Sequence, residues 1–151
     1  FASGWNKAKI EKSGTDKDNI WSAGLGYKFS DKLNLYGVYA KSNIDASKTY
    51  KGDSQNKAYD MTLTYGTADL KKAGTWDLYA AYRYLGAFAT INPTYDISVR
   101  DTKGWQVGTD VVVAQNIMAT LEYYKGKKLS GDYSGNDADY NAIYGKVDFF
   151  F

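Results

Sequence analysis

Residues 140–151 read YNAIYGKVDFFF, and every second position is apolar or small: Ile143, Gly145, Val147, Phe149 and Phe151 alternate with Tyr144, Lys146 and Asp148. A period of two is that of a strand with one apolar face. Lys146 and Asp148 put water on the second face, so the first meets a protein core or lipid. The same alternation recurs upstream. Trp21, Ala23, Leu25, Tyr27 and Phe29 alternate with Ser22, Gly24, Gly26 and Lys28, and Tyr59, Met61, Leu63 and Tyr65 with Asp60, Thr62 and Thr64. Trp76, Leu78, Ala80, Tyr82 and Tyr84 stand against Asp77, Tyr79, Ala81 and Arg83. Farther on, Trp105, Val107, Thr109, Val111 and Val113 oppose Gln106, Gly108 and Asp110, and Ile117, Ala119, Leu121 and Tyr123 oppose Thr120 and Glu122. Residues 33–41 (LNLYGVYAK) form a further strand whose facing stays open: either Leu33, Leu35 and Tyr39 point outward, or Tyr36, Val38 and Ala40 do. The opening FASGWN has no signal-peptide pattern and reads as the tail of another strand. The pattern thus predicts seven strands and part of an eighth.

The connections sort by length. They are long at about residues 10–18, 42–55, 86–103 and 126–139, short at 30–32 and 114–116, and intermediate at 67–74. Antiparallel strands with loops at one end and turns at the other are the pattern of a transmembrane barrel whose C-terminus lies at the periplasmic, short-turn end. The outward aromatics follow the same division. Trp21, Tyr59, Tyr82, Tyr84, Trp105 and Tyr123 fall near the loop ends, and Tyr27, Phe29, Tyr65, Trp76, Phe149 and Phe151 near the turn ends. Aliphatic residues such as Leu25, Leu63, Leu78, Val107 and Leu121 occupy the middles. An apolar belt between two aromatic girdles is expected where amphipathic rings settle at two membrane interfaces.

Composition fits this picture. Aromatic residues make up 17% of the 151 residues, with 15 Tyr, 4 Trp, 15 Gly and a single Pro, yet the mean hydropathy is -0.52. The chain is too aromatic for disorder and too polar for one large core, which suits strands apolar on one side only. Residues 1–151 read as one domain, without a linker or charge block to divide them. The net charge of +2 arises from scattered residues and gives no footprint for nucleic acid. No run approaches the length of a membrane-spanning helix. Any crossing must therefore be made by strands. In lipid only a closed sheet pairs all its backbone groups. The incomplete first strand therefore makes the C-terminal half of a larger, about sixteen-stranded barrel the expected architecture.

The segments GTWDLYAAYRYLGAFATINPTYD (residues 74–96), KGWQVGTDVVVAQNIMATLEYYKGKKL (residues 103–129) and the closing IYGKVDFFF resemble the C-terminal end of outer-membrane porins of the OmpM type from diderm Firmicutes. In that family an S-layer-homology domain grips the cell wall and a C-terminal barrel sits in the outer membrane as a trimer. The resemblance implies an outer-membrane barrel, a homotrimer, and a parent chain bound to cell-wall polymer through an N-terminal domain that has no counterpart in residues 1–151. It also implies that the terminal Phe151 serves as a signal read by the barrel-assembly machinery.

Catalytic chemistry finds little support. The chain has no histidine and no cysteine, so Ser-His-Asp and Cys-His arrangements and imidazole or thiolate metal sites are excluded. The inward Asp60, Asp77, Asp110, Glu122 and Asp148 read better as lumen residues than as a glycosidase-like pair. The acidic GDYSGNDAD at residues 131–139 lacks the EF-hand spacing. No catalytic, cofactor or metal site is expected. A passive pore needs only a wettable inner wall, and the expected wall is Lys28, Asp60, Thr62, Thr64, Asp77, Tyr79, Arg83, Gln106, Asp110, Glu122, Lys146 and Asp148. Its slight acidic excess predicts weak selectivity tilted toward cations. Residues 86–103 fold inward to narrow the channel, pack against a neighbouring subunit or stay plainly exposed. The expected function is a diffusion porin for small hydrophilic solutes. The alternative is a small plugged barrel acting as an anchor or adhesin through its loops, because about eight strands leave room for side chains alone. A soluble, lectin-like sandwich is a third reading.

Overall fold

The computed structural model describes residues 19–44, 55–90, 95–130 and 138–151. Among them the period-two segments form β1 (Ile20–Lys28), β2 (Leu33–Ser42), β3 (Lys57–Gly66), β4 (Trp76–Leu85), β5 (Thr102–Ala114), β6 (Ile117–Lys128) and β7 (Asp139–Phe149). They make one seven-stranded antiparallel sheet in the order β1-β2-β3-β4-β5-β6-β7, a meander in which each strand pairs with its neighbours in sequence. The described residues form no helix. The expected strand at residues 1–6 and the only proline, Pro93, lie outside the described residues, as do residues 131–137 of the acidic segment.

Directly opposed residues on antiparallel strands project to the same side, so the register fixes both faces. One row runs Tyr27, Leu35, Leu63, Ala80, Val107, Tyr123, Ile143. The next runs Gly26, Tyr36, Thr62, Ala81, Gln106, Tyr124, Ala142. The first belongs to an apolar face and the second to a polar one. The open facing of β2 is thereby settled: Leu35 opposes Leu63 and Tyr39 opposes Tyr59, so Leu33, Leu35 and Tyr39 lie on the apolar face and Tyr36, Val38 and Ala40 on the other. The apolar row starts next to the turn end of β1 and reaches the middle of β7. That stagger is the mark of tilted strands, as closure into a barrel requires.

The apolar face meets no other part of the described chain. Leu25 is 79% exposed, Leu121 57% and Ile143 77%. Its aromatic residues pack on one another near the strand ends. Tyr59 stacks on Tyr84 with ring centroids 5.1 Å apart, Tyr82 meets Trp105 edge-on at 5.0 Å, and Trp21 leans on Tyr39 at 5.5 Å. At the other rim Tyr27 meets Phe29 at 4.8 Å and Tyr65 meets Trp76 at 6.2 Å.

Short turns close one end. Ser30 Oγ accepts the backbone N–H groups of Lys32 and Leu33 at 3.3 and 3.1 Å, a local turn that serine favours. Asn116, with φ 60°, occupies the left-handed position that asparagine tolerates in the tight β5–β6 turn. Its N–H donates to the Leu70 carbonyl at 2.9 Å, and its own carbonyl accepts the Phe150 N–H at 2.9 Å, so neighbouring turns are tied together.

Candidate pore wall and the loop folded against it

All twelve side chains expected along the inner wall, Lys28 to Asp148, lie on the polar face by register. They do not share one environment. Eight of them, Thr62, Thr64, Asp77, Tyr79, Arg83, Gln106, Asp110 and Glu122, join Tyr95 and Asp96 around a cleft of about 360 Å³. Lys28 stands apart in the open, 3.4 Å from Asp31.

The loop between β4 and β5 determines the difference. Instead of projecting away from the sheet, its described residues fold over the polar face. Leu85, Ala87, Phe88, Ala89 and Ile97 are buried, each at most 5% exposed, as is Leu129 at the end of β6. Beneath them Tyr124 is wholly buried; its ring meets Tyr140 at 5.6 Å and its hydroxyl donates to Thr102 at 3.3 Å. Tyr140 in turn donates to the Ile97 carbonyl at 3.1 Å. The loop therefore packs over strands from β3 to β7.

Beneath the loop runs a chain of polar contacts. Arg83 on β4 donates through Nε to Asp60 on β3 and through Nη1 to Gln106 on β5, and it also reaches Ser98 Oγ of the loop at 3.2 Å. Ser98 donates to Gln106 Oε1 at 2.7 Å, and Thr62 donates to Asp60 at 2.7 Å. The Tyr95 ring covers the guanidinium, with Cζ 3.9 Å from the ring centroid. Burial raises the Tyr95 phenol above its ordinary pKa and the Asp60 carboxylate adds to the effect, so the ring stays neutral beside its charged neighbours. Asp60, Arg83 and Gln106 are 4%, 5% and 1% exposed. They are an internal network that seats the loop, and Arg83 and Gln106 show only a sliver of surface to the cleft.

The network continues through Tyr79, which donates to Glu122 on β6. The phenol crosses Gly108, the residue between them in the register. A Cβ at that position would stand 2.3 Å from the Tyr79 hydroxyl, so glycine leaves the phenol room to reach Glu122 and any larger residue would push it aside. Toward the turns, Asp77 and Asp110 are direct partners across the β4–β5 ladder, and Thr120 donates to Asp110. Among the described residues no lysine or arginine lies within ion-pair distance of Asp77, Asp110 or Glu122. Lys146 is engaged elsewhere, 2.9 Å from Asp96 of the loop and 3.2 Å from Asp148. The cleft thus carries a local excess of negative charge. No group of three or more acidic residues is close enough to hold a metal ion among the described residues.

Sequence reasoning missed the residues that fix the loop. Gln55, fully buried and with φ 55°, accepts the Ala87 N–H at 2.9 Å and donates to Asp101 at 2.6 Å. Asp101, with φ 67°, accepts the Ser130 N–H at 3.0 Å and the Ser130 hydroxyl as well. Two left-handed non-glycine residues at one point mark backbone held by its surroundings. A polar residue in a polar loop gives no such signal in sequence. Ser98 and Tyr95 were equally silent, since nothing local announces which loop residue will turn inward.

A one-sheet meander with an apolar, aromatic-rimmed face and a polar face that carries a folded-in loop is consistent with a porin-like β-barrel, and the seven strands of the described residues form an open sheet, not a closed one. The chain belongs to a porin family: the family model described as "Putative porin" matches residues 3–142. Comparison with curated proteins finds no match.

Proposed function

We propose that the chain forms part of the wall of a passive outer-membrane channel for small hydrophilic solutes and ions, without a catalytic centre, and that the β4–β5 loop narrows that channel from within. The observation that carries this reading is the loop seated on the polar face, which leaves a cleft of about 360 Å³ beside it lined in part by Asp77, Asp110 and Glu122. Carboxylates without cationic partners bias entry toward cations. The resemblance to OmpM-type porins supports a trimer, insertion by the barrel-assembly machinery and, in the parent chain, a hold on cell-wall polymer. Planar-bilayer recordings on the full-length protein test the channel directly. Stable ohmic steps with a reversal potential on the cation side are expected. Verified insertion without conductance would favour the second reading, a barrel plugged by its own side chains that serves as an anchor or adhesin. The buried Asp60–Arg83–Gln106 network is the feature that speaks for plugging.

A further inference from the structure

The cleft beside the loop holds more negative charge than the described residues neutralise. Asp77 and Asp110 are direct partners across the β4–β5 ladder, and directly opposed residues stand with their Cβ atoms about 5 Å apart. Glu122 lies on β6 two residues from Thr120, the partner of Asp110, and so one step nearer the loops. Two strand residues span about 7 Å. The cleft of about 360 Å³ is thus bordered by two anionic poles, the Asp77/Asp110 pair and Glu122.

Hydrogen bonding leaves the same two poles incomplete. Glu122 is 6% exposed and takes the Tyr79 hydroxyl on Oε1, but its Oε2 is buried and accepts no hydrogen bond. At the other pole Thr120 donates to Asp110, while Asp77 Oδ1 is likewise buried and without a donor. A buried carboxylate oxygen left unpaired is costly, so a group that enters the cleft with a donor is favoured. Water brings a donor and no charge; an ammonium group brings both. Among the described residues the carboxylates do not converge into a group that could enclose one metal ion. A compact divalent ion therefore meets one pole at a time.

We propose that the cleft is a saturable binding site for short linear diamines, with one ammonium on the Asp77/Asp110 pair, the other on Glu122, and Tyr79 holding Glu122 in place. The proposal rests on the channel reading above and gives it a preferred solute class. An alkyl chain that holds its charged ends about 7 Å apart matches the offset of the two poles along the strands. Each ammonium is a compact charge with three rotatable donors, which suits carboxylates that do not form a planar fork. A monoamine reaches one pole alone. A diamine seated there occupies the passage beside the loop and obstructs smaller ions.

The experiment is isothermal titration calorimetry of the full-length protein in detergent with putrescine, set against butylamine and magnesium chloride. Planar-bilayer current is recorded in parallel as putrescine is added. The variants are E122Q and D77N/D110N, with folding scored by heat-modifiable gel migration. Putrescine should bind the wild type at one site per chain and reduce the current over the same concentration range. Butylamine should bind about tenfold more weakly, and each variant should lose about tenfold in affinity for putrescine. D77N/D110N, which relieves like-charge opposition, decides the matter if E122Q does not fold. The proposal is overturned if either folded variant binds putrescine as the wild type does, if butylamine binds as tightly, if magnesium displaces putrescine at an equal or lower concentration, or if saturating putrescine leaves the current of an open channel unchanged. A wild type that binds putrescine and conducts no ions would refute the channel and leave the diamine site standing. One that conducts and shows no saturable binding would refute the site and leave the channel.

Discussion

The two halves of the polar face follow one alternation and do different things. Toward the loops, Asp60, Arg83, Gln106 and Tyr124 are buried under the described residues of the β4–β5 loop; the first three bond to one another or to the loop, and Tyr124 to Thr102 of β5. Toward the turns, Lys28 is exposed, and Asp77 and Asp110 face each other beside an open cleft. Facing alone therefore does not make a lumen residue. Position along the strand decides whether a polar side chain holds the loop or borders the open cleft.

This contrast can be broken by mutation. The largest effect is expected at Arg83. Arg83→Ala leaves the Asp60 carboxylate buried without its partner, and loss of one member of a buried pair costs about 3–5 kcal/mol. Urea unfolding in detergent should show it, whereas Lys28→Ala, at an exposed pair, should lie within about 1 kcal/mol of wild type. Next come Leu63→Arg and Leu121→Arg on the apolar face, each expected to cost roughly 2–4 kcal/mol near the bilayer midplane and to lower the yield of inserted barrel. If either assembled normally, the assignment of that face to lipid would be wrong. Gly108→Ala should cost about 1–3 kcal/mol, because its Cβ drives Tyr79 off Glu122. Tyr79→Phe/Gly108→Ala, without the hydroxyl, should recover part of that loss in the same assay. The smallest effect on stability is expected for Asp77→Asn and Asp110→Asn, which relieve like-charge opposition. Their signature should be a reversal potential moved toward the anion side, and no shift would remove these carboxylates from the conduction path.

Much of the sheet was legible because alternation is a local property. Every strand within the described residues was visible as a run of period two, and the facing of all but β2 followed from it. β2 resisted because both of its faces are apolar enough: Leu33, Leu35 and Tyr39 on one, Tyr36, Val38 and Ala40 on the other. Only the partner strand decides between them. Tyr36 is tolerated on the polar face because it lies over Gly24, where a Cβ would meet its hydroxyl at 3.1 Å. The same pairing of a tyrosine with a glycine one strand away recurs at Tyr79 and Gly108. It is a signal that sequence offers, though only once the register is known. The inward fold now seen for the described residues of the 86–103 connection was one of three open readings. It depends on contacts between loops distant in sequence, and no periodicity encodes those.

The knot of Gln55, Asp101 and Ser130 draws on three separate connections, before β3, before β5 and after β6. Such a knot can be tied only after the intervening strands have zipped into register, because each partner is delivered by a different hairpin. Its formation is thus a late event in folding. A chain stalled with β6 unpaired would lack Ser130 at the knot and would hold the β4–β5 loop only through Gln55 and through the contacts of Ser98 and Tyr95 with Arg83 and Gln106. The seating of the β4–β5 loop on the polar face is therefore completed at the end of assembly, by the last strands to arrive.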